Sequence, residues 1–217
     1  MFDDKQSKRG VTLAELLIVS LIFAMIVGIC MFATVSAFRM FQQTNTRQQL
    51  QRDAAAVFAW LQRDLEVSNL LLCQSEERWS GTDERYKLGL VGLSSWQEPI
   101  RRDAVGHPDW DRVIVYSSTR DQPTGQLIRQ SAEPVGGIVG IATIRDFMVD
   151  TTLADSDMRR LASGVKSFKA EWAVSEESIR IDLLLLKETV QTGTGGTRRE
   201  VFEVQTAIRP RNTFPKV

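Results

Sequence analysis

Histidine and cysteine are scarce in this chain, and neither sign of charge is in excess. The 217 residues include one histidine, His107, and two cysteines, Cys30 and Cys73. A single histidine argues against histidine-based zinc sites, and any serine triad would have to include His107. Lys and Arg number 27, as do Asp and Glu, so the net charge is zero. A nucleic-acid binder would show a basic excess, and we therefore expect no nucleic-acid partner.

Charge is missing altogether from residues 16–38, a run of 23 residues. As a helix this run would extend roughly 34 Å, enough to cross the ~30 Å hydrocarbon core of a membrane. Residues 1–10 carry Lys5, Lys8 and Arg9 against two acids, which predicts a cytoplasmic leader and an exported remainder. The run is too long for a cleaved secretory signal, and no small-x-small site follows it. Cys30 lies inside the run and Cys73 beyond it, so we expect no intramolecular disulfide.

An acid, Glu15, stands immediately before the apolar run and five residues after Gly10. A carboxylate at the edge of a membrane segment is costly to desolvate, so its position implies a partner of opposite charge. An ordinary signal anchor would explain the run and its basic flank, but it would not explain Gly10 or Glu15.

The stretch Gly10-Val11-Thr12-Leu13-Ala14-Glu15 resembles the processing site of type IV prepilins and pseudopilins. The resemblance implies that a prepilin peptidase cuts between Gly10 and Val11 and methylates the new Val11 amine. It also implies that Glu15 faces the terminal amine of a neighbouring subunit during assembly. Phenylalanine is commoner than valine at the position of Val11. Phe32 stands where major pilins typically have proline, which favours a minor subunit.

Further matches are shorter and point to particular members of that family. Residues 61–65 resemble a stretch near the helix end of J-type minor pseudopilins of type II secretion and of PilW-like minor pilins. Residues 161–168 are similar to the start of a late strand in those proteins, and residues 207–212 are similar to their final strand and tail.

The absence of proline before Pro99, and of glycine between Gly28 and Gly81, predicts one long helix over residues 12–71. Its second half shows an apolar stripe at helical spacing. The members of that stripe are Leu50, Ala54, Val57, Leu61 and Leu65.

The remaining residues predict a β-rich head. Residues 75–84 read as a loop and residues 158–162 as a short helix. Alternating polarity and β-branched runs predict strands, with hairpin connections at 174–178 and 190–197. These strands are 86–93, 112–118, 126–131, 138–144, 165–174, 178–187 and 200–209. A long helix followed by an antiparallel meander is an α+β organisation.

The candidate ligand-binding sites in the head are better interpreted as surface loops. The glycine-rich residues 192–197 lack the helix start and the lysine of a phosphate loop, so they read as a hairpin loop. Asp150, Asp155 and Asp157 offer oxygen ligands for calcium but lack the spacing of the twelve-residue loop, and they read as a solvated acidic loop. We predict no metal, no cofactor and no enzymatic activity.

The sequence thus predicts a leader at 1–10, a helix at 11–72 with a transmembrane part at 16–38, and a head at 73–217. The resemblance implies a minor pilin or pseudopilin in the inner membrane, with its head in the periplasm or outside, that initiates or caps a pilus-like fibre. The implied partners are prepilin peptidase, other minor and major pilin-like subunits that pack along the N-terminal helix, a platform membrane protein and lipid. Two alternatives remain open, a major pilin and a membrane-anchored envelope enzyme.

Overall fold

The computed structural model describes residues 11–77, 85–94, 102, 108–119, 121, 123–134, 139–149, 157–173, 177–190 and 196–210. The chain forms two compact units, Met1–Asn45 and Thr46–Val217. Helix α1 spans Leu13–Val67 and contributes to both. The leader at residues 1–10 lies outside the described residues.

In the first unit, α1 is apolar on every side over residues 16–38. Its most apolar 18-residue window has no buried residue, and by length and composition it could cross a membrane. The backbone polar groups of a helix bond to one another, which is what a segment in lipid requires. Cys30 in this part and Cys73 in the second unit are both free thiols.

In the second unit, α1 buries one stripe. The predicted members Leu50, Ala54, Val57, Leu61 and Leu65 are each 2% exposed or less, which confirms the stripe. The α-helix ends at Val67, earlier than predicted, and a short 3₁₀ helix over Leu70–Leu72 follows. Asn69 causes this break, because its side-chain oxygen accepts a hydrogen bond from the amide of Leu71 at 2.9 Å.

Within the described ranges, seven antiparallel strands form one sheet whose spatial order follows the chain order. They are β1 (Gln74–Glu77), β2 (Tyr86–Gly92), β3 (Arg112–Ser118), β4 (Gly125–Ala132), β5 (Asp157–Ala173), β6 (Ser178–Val190) and β7 (Thr197–Ile208). The predicted α+β meander is confirmed, and six of the seven predicted strands lie within or largely overlap observed ones.

Two predictions around these strands were wrong. Residues 158–162, predicted as a short helix, belong to β5, where Met158 and Ala162 pair with Gln130 and Leu127 of β4. The loop prediction over 75–84 fails for residues 75–77, which pair with β2 as part of β1. In both places ladder hydrogen bonds with a neighbouring strand decide a conformation that local composition leaves ambiguous.

The predicted strand at 138–144 was also wrong. Residues 141–144 begin helix α2, which spans Ile141–Val149. Its buried residues, Ile144 and Met148, are four positions apart and so lie on one helical face. A run of β-branched residues favoured a strand, but burial of this face outweighs that weak local preference.

Helix α2 covers a second core on the opposite face of the sheet from α1. It packs Ile144 and Met148 against Val91, Val113 and Val115 of β2 and β3. Gly89 of β2 allows this close approach. A Cβ atom at Gly89 would lie 2.5 Å from Ile144 Cγ2 and 2.8 Å from Met148 Sδ.

We therefore expect Gly89→Ala to push α2 from the sheet and to lower the free energy of unfolding by about 1–3 kcal/mol. The measurement is urea denaturation of the full chain in detergent micelles, followed by tryptophan fluorescence. Gly140→Ala is the matched control, because a Cβ there would meet nothing within 4 Å. Equal stability of the two variants would contradict this packing.

One buried carboxylate joins α1 to the sheet. Asp64 Oδ2 accepts hydrogen bonds from the Tyr116 hydroxyl at 2.6 Å and from Arg129 Nε at 2.6 Å. A second Arg129 nitrogen donates to Asp64 Oδ1 at 3.3 Å. Burial raises the pKa of the Tyr116 phenol, and the adjacent Asp64 raises it further. Burial alone would lower the pKa of Arg129, but Asp64 raises it overall, so the guanidinium stays charged.

We expect Asp64→Asn to destabilise the head by about 3–5 kcal/mol, because it leaves the Arg129 charge buried without a counter-charge. The control is Glu171→Gln, which breaks a more exposed ion pair with Lys169 of 2.9 Å and should cost about 0–1 kcal/mol. Both are measured by the same urea denaturation. Similar losses in the two variants would show that Asp64 does not anchor the helix.

Candidate assembly site at the start of the long helix

The first turn of α1 is closed by a reciprocal pair of side chains. The Thr12 amide donates to Glu15 Oε2 at 2.9 Å, and the Thr12 hydroxyl lies 3.1 Å from the same oxygen. In return, the Glu15 amide donates to Thr12 Oγ1 at 3.3 Å. This is a capping box, which satisfies amides that no helical carbonyl can reach. The first turn is thus closed by side-chain hydrogen bonds and presents a carboxylate at its surface.

Only one oxygen of the Glu15 carboxylate takes part in this cap. Both bonds from Thr12 end on Oε2, and within the described residues Oε1 accepts no hydrogen bond. Glu15 is fully exposed in the isolated chain. The arrangement therefore fixes the direction of the carboxylate while leaving an acceptor for a cation from outside the chain.

The surface that follows Glu15 is apolar all round. Side chains of the run are exposed to between 45% and 76%. They include Leu16, Leu17, Ile18, Val19, Leu21, Ile22, Phe23, Met25, Ile26, Val27, Ile29, Met31, Phe32, Val35 and Phe38. A contiguous apolar surface of this size indicates contact with lipid or with other helices.

The sequence-predicted site residues lie together at this helix start, with one exception. Glu15 is in the first turn, and Val11 is exposed just before the capping residue. Gly10 lies outside the described residues. The capping role of Thr12 was missed, although Thr-x-x-Glu before an apolar run is its known signature.

The head offers little support for catalysis or metal binding in the part that the structure describes. His107, Asp150, Asp155 and most of the glycine-rich loop lie outside that part, while Asp157 begins β5. Elsewhere in the described ranges, no three His, Cys, Asp or Glu side chains group as metal ligands.

A pocket of about 280 Å³ lies beside the second half of α1. Its charged lining residues are Asp53, Lys187 and Glu188. Burial raises the pKa of Asp53, while the nearby charges of Lys187 and Arg160 lower it. Lys187 is also hydrogen-bonded to Gln49. Glu188 pairs with Arg199 at 2.7 Å, so Lys187 and Glu188 are both engaged with neighbouring side chains.

Residues 5–31 match the family model of the prokaryotic N-terminal methylation motif. No curated protein and no solved structure matches the chain. The matched residues include Gly10, Val11 and Glu15 and extend into the apolar part of α1.

The match supports a type IV pilin-like or pseudopilin protein, and hence a structural subunit. It is consistent with processing by a prepilin peptidase and with assembly beside other pilins. Together with the long apolar helix, it is consistent with membrane anchoring.

Proposed function

We propose that this chain is a minor subunit of a pilus-like fibre, which helps to initiate or cap a type II secretion pseudopilus or a type IV pilus. Prepilin peptidase cuts between Gly10 and Val11 and methylates the Val11 amine. The observation that carries the proposal is the methylation motif over residues 5–31, with Glu15 held at the start of an exposed apolar helix.

Glu15 acts in assembly through its charge. In a low-dielectric surrounding a carboxylate and an ammonium attract far more strongly than in water, and each reduces the cost of desolvating the other. Thr12 holds Oε2, so Oε1 faces outward to accept a hydrogen bond from the Val11 amine of a neighbouring subunit.

The minor role rests on the sequence at Phe32. Major pilins typically have proline there, whereas α1 continues through Phe32. We place the subunit in the inner membrane by residues 16–38, with the leader at 1–10 in the cytoplasm and the head at 73–217 in the periplasm or outside. Its helix at 11–72 packs against other minor and major pilin-like subunits. A platform membrane protein and, indirectly, an assembly ATPase complete the machine.

Cleavage is tested with Gly10→Ala. We expect this variant to accumulate as an uncut precursor, because the peptidase requires glycine before the cut. The intact mass and N-terminal peptides of the membrane-extracted protein report the cut and the methyl group. Gly28→Ala is the matched control, since a Cβ there meets nothing within 4 Å. An uncut wild-type N-terminus would overturn the proposal.

The charge of Glu15 is tested by comparing Glu15→Gln with Glu15→Ala. Glutamine can keep the capping bonds to Thr12 but carries no charge, whereas alanine loses both. We expect each variant to be cleaved but to fall at least tenfold in recovery with other pilin-like subunits, measured by immunoblot of sheared and membrane-extracted fractions. Wild-type recovery of Glu15→Gln would mean that Glu15 serves only as a cap.

A further inference from the structure

We propose that Trp60, Arg63 and Arg159 form a docking surface for carboxylates on the head of another subunit. We call these three residues the Trp60 surface. The inference rests on the proposed function, because the partner is another subunit of the same fibre. It differs from the contact at Glu15 in its place on the chain, its charge and its chemistry.

Three guanidinium groups surround the half-buried indole of Trp60. The Cζ atoms of Arg63, Arg129 and Arg159 lie 5.4, 5.0 and 4.8 Å from the ring centroid. Trp60 and Arg63 are on α1, three positions apart and therefore adjacent on the helix surface. Arg129 and Arg159 come from β4 and β5. The helix and the sheet packed against it therefore both contribute to the Trp60 surface.

The charges at this place do not balance. Arg129 is buried and paired with Asp64 at 2.6 Å. Arg63 and Arg159 are exposed, and in the described part of the chain neither makes an ion pair. Two positive charges therefore remain on the surface beside one aromatic ring.

The fold also brings like charges together here. Arg129 and Arg159 are directly opposite each other in the ladder between β4 and β5. Like charges at opposed positions of neighbouring strands repel and destabilise a sheet. Asp64 compensates Arg129, but Arg159 has no such compensation among the described residues. An anion from outside the chain would remove this repulsion.

Carboxylates suit the site better than phosphates. Asp64 already shows how a carboxylate bonds within this cluster, through two nitrogens of Arg129. Phosphate sites commonly use free backbone amides at a helix start or in a loop. Here Trp60 and Arg63 lie inside α1 and Arg159 lies inside β5, where backbone amides are committed to regular structure.

The residue types indicate a protein partner. Tryptophan and arginine are enriched where protein interfaces carry most of their binding energy. A planar guanidinium binds a carboxylate through two parallel hydrogen bonds and is weakly hydrated, so it can be desolvated at an interface. The expected partner surface thus presents acidic side chains next to an apolar one.

The test reverses the two exposed charges in the full-length protein, as Arg63→Glu with Arg159→Glu. We expect leader cleavage to be unchanged, because neither residue makes an ion pair in the described structure. The thermal midpoint should not fall, because Arg159→Glu replaces the like charge opposite Arg129 with an opposite one. Recovery in complex with other pilin-like subunits, after membrane extraction and size-exclusion chromatography, should fall about tenfold. Arg63→Gln with Arg159→Gln should give a smaller loss.

Arg47→Glu with Arg52→Glu is the matched control. Both arginines are exposed on α1, and neither contacts an aromatic ring or makes an ion pair in the described structure. This control should assemble as the wild type does. An equal loss in the control would mean that net charge matters and that the Trp60 surface does not.

The outcomes separate this inference from the proposed function. If the wild type assembles in a Glu15-dependent way and Arg63→Glu with Arg159→Glu assembles equally well, the Trp60 surface is not a docking site. If the wild type does not assemble at all and Glu15→Ala changes nothing, the proposed function itself is wrong. Salt-sensitive binding of the wild type to phosphatidylglycerol vesicles, lost in the charge-reversed variant while its assembly is normal, would assign the surface to lipid.

Discussion

One helix in this protein has to suit two surroundings. From Leu16 to Phe38, α1 exposes apolar side chains in every direction. Its part in the second unit buries the stripe from Leu50 to Leu65 together with Thr46 and Asp64. Both parts are held by the backbone hydrogen bonds of the helix, but the acidic residues Glu15 and Asp64 have different partners. Glu15 bonds to the capping Thr12, and Asp64 bonds to Arg129 and Tyr116 where the sheet supplies donors. Glu15 and Asp64 thus each lie beside a hydrogen-bond donor that the fold holds in position.

The arrangement of the head follows from this difference between the two parts of α1. Because α1 needs a cover for one stripe only, the sheet covers it with one face and keeps the other face for α2. Small side chains set the distances on that second face, as at Gly89 under Ile144. Near Trp60, Arg63 of α1 and Arg159 of β5 are exposed and make no ion pair among the described residues. A minor assembly subunit would need both a firm core and a partner-binding surface of this kind.

Patterns with a clear period predicted most of this fold. The stripe on α1 repeats at helical spacing, and polar and apolar residues alternate in β5 and β6. Both predictions were confirmed. Helix α2 was not predicted, because Ile141 and Ile144 favour strands locally. Its buried side packs against a core built by other strands, and no local sequence pattern reveals that core. The pairing of Asp64 with Arg129 joins residues 65 positions apart, and no local pattern signals it.

The sequence predicted only the part of the assembly site that depends on a local motif. Glu15 was recognised from its order after Gly10, which is a local motif. The cap by Thr12 is equally local, because Thr-x-x-Glu before an apolar run is the signature of a capping box. The unbonded oxygen of Glu15 could not be read from sequence, since it depends on which carboxylate oxygen Thr12 reaches.

The cap has a consequence for maturation. Every described hydrogen bond that closes the helix start is made by residues from Thr12 onward. Proteolysis before Val11 would therefore leave these described bonds in place. It would create an ammonium group beside the positive end of the helix dipole, an unfavourable place for a cation. Glu15 is the nearest acid in the chain to that group, so the finished subunit would carry both halves of a salt link at one helix end.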